Sequence, residues 1–176
     1  MTTILGIDPG LAGAAAITDE GGVVDVIDLP TVGEVKDRSI DVLWLSGWIK
    51  RRRIDFAVIE NVWSMPREGV SSAFRFGRGC GEIRATVILC GLPIRYVVPG
   101  MWKRAHGLLK SWDEQSRLRA MELLPSAHQW LARKKDHHRA CALLIAEWAR
   151  RDASHTPSLP NLHPSTPSSA PLGQML

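Results

Sequence analysis

Asp8 closes the apolar run Ile4-Leu5-Gly6-Ile7, and Glu60 closes Ala57-Val58-Ile59. A strand buried on both faces carries no charge along its length, so an acid at its exit is either a turn former or a site residue. Asp8 before Pro9-Gly10 fits a turn, while Glu60 before Asn61 has less reason to be one. If the two strands are neighbours, the carboxylates lie side by side at one sheet edge. Two acids that close repel unless a divalent cation sits between them. Mg²⁺ favours such oxygen ligands, and two ions a few ångströms apart activate a water and stabilise a leaving phosphate oxygen. The candidate third acid is Asp136, in Arg133-Lys134-Lys135-Asp136-His137-His138 at the start of the last helix. It either completes the pocket or caps that helix, a role worth roughly 1 kcal/mol, and it can do both.

The elements that must position these groups are legible from periodicity. Residues 3–8, 13–18 and 23–29 read as strands, the last two separated by the turn Asp19-Glu20-Gly21-Gly22, which implies an antiparallel meander. Residues 39–52 read as a helix with Ile40, Leu43, Trp44 and Trp48 on its inner face, and Phe56–Ile59 as a buried strand. A loop over 61–70 leads to a helix from about Ser71 to Cys90, then a strand over Ile94–Val98 and a short helix over Met101–His106. Helices follow at 112–124 and about 137–151, the last with Cys141, Leu144, Ile145 and Trp148 on one stripe. The order βββαβαβα predicts an α/β fold, a mixed five-stranded sheet flanked by helices. One domain over 1–151 is expected, with a disordered Ser/Pro-rich tail over 152–176.

Charge is divided along the chain. Residues 1–60 carry 10 acids and 6 bases, and residues 61–176 carry 8 acids and 16 bases. Carboxylates for cations beside Lys and Arg for phosphates suit a nucleic-acid enzyme, although a solvated surface gives the same count. No run approaches the roughly 20 apolar residues of a membrane span, and nothing at the N-terminus reads as a signal peptide. Cys80, Cys90 and Cys141 are odd in number with no metal-ligand spacing, so free thiols in a reducing cytoplasm are expected.

Four segments in order resemble RuvC-type Holliday junction resolvases, which are ribonuclease H-like. Ile4-Leu5-Gly6-Ile7-Asp8-Pro9-Gly10 and Val58-Ile59-Glu60-Asn61 match the first two motifs. The run from Glu60 through Phe74-Arg75-Phe76-Gly77 is similar to the bacteriophage and prophage branch. So are Val98-Pro99-Gly100-Met101-Trp102-Lys103 and Arg133-Lys134-Lys135-Asp136-His137. The resemblance covers about residues 3–151. It implies a homodimer in the bacterial cytoplasm, Mg²⁺ or Mn²⁺ (two ions per site) at an acidic cluster, and paired nicks in four-way DNA. Asp8 and Glu60 then match the first two catalytic acids, and Lys103 is assigned to the scissile phosphate. The third motif departs: the family carries an acid or His and, three residues on, an Asp or Glu, where this chain has His138 and Cys141. A thiol is a poor ligand for hard Mg²⁺. Either Asp136 supplies the carboxylate, with His138 as ligand or water activator, or the metal site is weakened.

Phosphate contacts need bases, and Arg67, Arg75, Arg78, Arg104, Lys134 and Lys135 are the candidates, with Lys110 beside them. Phe74 and Phe76 flank Arg75 and can stack on or wedge open nucleotides, though one of them is expected in the core. The small residues Gly77, Gly81 and Ala85 permit either close approach of a second copy or packing on the sheet. The reading of the chain as a junction nuclease therefore stands beside a junction-binding protein inactivated at Cys141. An actin-like ATPase, which shares the opening motif, needs a second domain for which 176 residues leave no room.

Overall fold

The computed structural model describes residues 1–34, 37–63, 69–109 and 113–152. Strands β1 (Ile4–Asp8), β2 (Ala14–Asp19) and β3 (Gly22–Asp28) form the expected meander. Strands β4 (Thr31–Val32) and β5 (Ser39–Ile40) make a small separate ribbon. Helix α1 (Val42–Lys50) then leads to β6 (Phe56–Glu60), α2 (Val70–Leu89) and β7 (Ile94–Val97). Helices α3 (Pro99–Ala105), α4 (Asp113–Leu123) and α5 (His137–Arg151) complete the order, with 3-10 turns at Pro125–Trp130 and Lys134–Asp136. The main sheet is five-stranded and mixed, in the order β3-β2-β1-β6-β7. The meander pairs antiparallel, while β6 and β7 join in parallel after helical crossovers.

Alternation along the strands divides the interior in two. Ile4, Phe56 and Val58 face α5 together with Ala14, Ala16 and Val26. Leu5, Ile7, Ala57 and Ile59 face the other way, toward Leu45, Trp48 and Ile49 of α1 and Ile83 and Val87 of α2. Helix α5 is buried from Ala142 through Ala149, and it lies unusually close to β1 at Gly6. A Cβ there would fall 2.2 Å from the Ala142 carbonyl oxygen, so only glycine admits the helix at this depth.

Two local expectations change. The predicted helix over 39–52 begins later, because Ser39–Ile40 pairs with Thr31–Val32 and the Asp41 carboxylate caps α1 by accepting the Trp44 N–H at 3.0 Å. Its inner face shifts accordingly: Leu45, Trp48 and Ile49 are buried, whereas Leu43 is 82% exposed and Trp44 is on the surface. The strand predicted to reach Val98 stops at Val97, since Pro99 opens α3 at its first turn. The Ser/Pro-rich tail lies, from 153 on, outside the described residues. No described helix is long and apolar enough to cross a membrane.

Candidate active site

Asp8 and Glu60 are brought together by register alone. β1 and β6 are parallel neighbours with Ile7 opposite Ile59, so the next residues along, Asp8 and Glu60, end the two strands side by side. Two-residue periodicity puts both on the α5 face with Ile4 and Val58. Each is only 8% exposed. The tip of α5 supplies His138, whose Nδ1 lies 2.8 Å from Asp8 Oδ2; facing an acceptor, this nitrogen donates. The His137 ring rests against that of His138, centroids 4.1 Å apart. From the other side α3 delivers Trp102, whose indole N–H donates to Glu60 Oε1 at 2.7 Å. Lys103 follows, its ammonium 5.5 Å from the Trp102 ring centre.

Burial pushes the Glu60 carboxyl up to about 6. The Trp102 hydrogen bond opposes that shift, the Asp8 charge adds to it, and the charges of Lys103 and His138 oppose it. This end of the sheet thus holds two buried acids with, among the described residues, no arginine between them, an arrangement that favours a cation. Asp8 Oδ1 and Glu60 Oε2 accept no hydrogen bond among the described residues. Also among the described residues, no three His, Cys, Asp or Glu side chains converge as a metal-ligand group.

Asp136 is not brought to this pair. It is buried, and both its oxygens close on Arg133: Oδ2 accepts the backbone N–H at 2.8 Å, and Oδ1 accepts Nε and an Nη at 2.9 and 2.6 Å. By position it is the residue before α5, yet its side chain closes the preceding 3-10 turn and makes no cap bond to α5 itself. Cys141 is half-buried and packs against the α5-side core.

The candidate DNA contacts separate as well. Arg104, Lys134 and Lys135 are exposed, and Phe74 is 71% exposed. Phe76 is half-buried, with its ring beside Gly10 in the turn after Asp8. Arg75 donates to the Ser71 carbonyl oxygen at 3.3 Å, and Arg78 donates to that of Arg38 at 2.7 Å, which ties α2 to the β5 region. Arg67 and Lys110 lie outside the described residues. Trp63 is a further candidate that the sequence reading does not name. It is 66% exposed, three residues beyond Glu60, and its position in a loop rather than on a helix was the available signal.

Thermus thermophilus RuvC superposes on the chain with a TM-score of 0.60 at 15% identity, covering 89% of this chain and all of that one. The same protein's structure "in complex with Holliday junction substrate" gives 0.57 at 18% identity, again over 89% of this chain and all of that one. The chain has the RuvC fold. This ribonuclease H-like architecture agrees with the mixed sheet and flanking helices expected from the sequence. No protein-family model matches the sequence, and no curated protein matches it.

Proposed function

We propose that the protein is a metal-dependent endonuclease that resolves four-way or other branched DNA by paired nicks in opposing strands. The observation that carries this reading is the meeting of Asp8 and Glu60 at the ends of neighbouring parallel strands, on a RuvC fold. Mg²⁺ is commonly held by one or two carboxylates together with substrate phosphates and water. Asp8 and Glu60, each with an oxygen to offer, fit Mg²⁺ or Mn²⁺ on those terms, and the charge of the ion would supply water activation and relief for the departing oxygen. His138 holds the Asp8 carboxylate in orientation, and Trp102 holds that of Glu60. Lys103, whose charge acts on Glu60, would neutralise a phosphate arriving at the pair.

Exposed Arg104, Lys134 and Lys135 would anchor flanking phosphates, with Phe74 and Trp63 offering ring faces to unstacked bases. A second copy would supply the opposing nick. Ile88 and Leu89, exposed at the C-terminal end of α2, offer apolar surface for it.

The test is a labelled four-way junction incubated with Mg²⁺ or Mn²⁺ beside the Asp8→Asn variant. Symmetric nicks that disappear in the variant support the reading. One structural fact favours a second reading, a junction-binding protein that does not cut: with Asp136 tied to Arg133 and Cys141 a thiol, no third carboxylate among the described residues joins the pair. That protein would bind junctions in a salt-sensitive way without nicking them, and Cys141→Asp would create or raise activity.

A further inference from the structure

Behind Glu60, on the sheet face opposite α5, a recess of about 470 Å³ opens between α2 and the edge strand β7. It is lined at one end by Pro9, Glu60 and Asn61, beyond the carboxyl ends of β1 and β6. From these two adjacent parallel strands the chain departs in opposite directions, from β1 to β2 and from β6 through α2 to β7, and open sheets with parallel strands receive ligands at such a point. The far wall is Arg84 and Tyr96, with the guanidinium carbon 5.8 Å from the ring centre. Among the described residues Arg84 pairs with no carboxylate, so its charge is available. The α2 wall exists because two side chains are missing: a Cβ added at Gly77 or Gly81 would meet nothing within 4 Å. The volume falls within the roughly 300–1,000 Å³ of small-ligand sites.

An aromatic ring, an amide and a guanidinium around a nucleotide-sized hollow are the groups that stack a base, bond its edge and hold its phosphate. We propose that this recess receives one unstacked nucleotide of the branched DNA beside the cleaved bond. Tyr96 stacks the base, Asn61 bonds its edge and Arg84 takes the phosphate. The inference rests on the nuclease reading above and deepens it, since a strand with one base held here is fixed in register against Glu60. A junction with locally unpaired bases would be preferred over linear duplex, because extruding a paired base costs free energy.

The test uses the full chain and a four-way junction carrying 2-aminopurine at the crossover, in EDTA so that the strands stay whole. Binding is expected to raise its fluorescence as the base leaves the stack. Tyr96→Ala and Gly77→Leu, the latter filling the hollow from open space, should abolish most of that rise. Both should slow cleavage in Mn²⁺ about tenfold, the size of one lost base stack. Junction affinity, carried by phosphate contacts, should stay within about threefold, and the sedimenting mass should not change. An undiminished rise in both variants would overturn the proposal. So would a changed mass in Gly77→Leu with the rise intact in Tyr96→Ala, since the recess would then be a surface between copies. A junction cut by the wild type with no rise at all defeats the recess and leaves the nuclease reading intact. A junction neither bound nor cut defeats both.

Discussion

Two acidic pairs occupy the same end of one sheet, and the fold treats them in opposite ways. Asp8 pairs in register with Ala14, and Ala14 with Asp28, so the acids at the ends of β1 and β3 are two strands apart. Asp28 receives a two-pronged ion pair from Arg139, at 2.6 and 2.8 Å, and its pKa is lowered by that hydrogen bond. Asp136 is raised by burial and lowered more strongly by its bonds to Arg133, so it too ends below its ordinary range. Among the described residues no arginine pairs with Asp8 or Glu60. Their partners are a histidine and an indole, and Glu60 is left near 6. Asp28 and Asp136 are matched with arginines from the chain and serve the architecture, whereas the buried Asp8–Glu60 pair, held by His138 and Trp102, is where the proposed function would put a cation from outside.

The largest effect expected from this contrast is at Glu60. Glu60→Gln should reduce junction cleavage by about a thousandfold, the order of the charge stabilisation a metal site supplies. Its melting temperature should stay level or rise, because a buried repulsion is removed. Asp136→Ala should do the reverse. Denaturant unfolding should show a loss of about 1–2 kcal/mol from the broken turn, while cleavage per folded molecule stays within about threefold. Loss of cleavage in a well-folded Asp136→Ala protein would erase the distinction between the pairs. A smaller change is expected at Trp102→Phe, which keeps the ring and removes the bond to Glu60. Mn²⁺ affinity measured by calorimetry should weaken about tenfold, as for other groups that orient a metal ligand.

The smallest effect concerns a buried group outside both pairs. His106 sits under α5 with Nε2 donating to the Leu144 carbonyl oxygen at 2.9 Å. Burial lowers its pKa below the ordinary 6.5. Above 6.5 the ring is neutral in folded and unfolded chains alike. As the pH falls below that value the unfolded chain takes up the proton first, and stability declines until the folded pKa is passed. In His106→Leu that part of the acid limb should flatten, as read from unfolding curves at a series of pH values.

The five main strands were legible because apolar runs and turn residues punctuate them clearly, and the strand-end acids stood out because a buried strand excludes charge. What escaped the sequence depended on contacts between distant segments. Ile40 fits the helical period of α1 as well as it fits a strand, and only its pairing with Thr31 decides between them. Asp136 has the composition of a metal ligand, but an arginine three residues earlier folds back and takes its oxygens. The recess behind Glu60 is made by side chains that glycines lack and by the separation of α2 from β7, neither of which a linear pattern records. Trp63 reads as one more apolar residue until its loop is seen to leave it in solvent.

The most direct measurement of the central claim is an anomalous difference map from crystals of the full chain soaked in Mn²⁺. Density is expected between the carboxylates of Asp8 and Glu60, absent in Asp8→Asn crystals, with the Asp136–Arg133 turn unchanged. No density at that pair under saturating Mn²⁺, or density at Asp136 in its place, would contradict it.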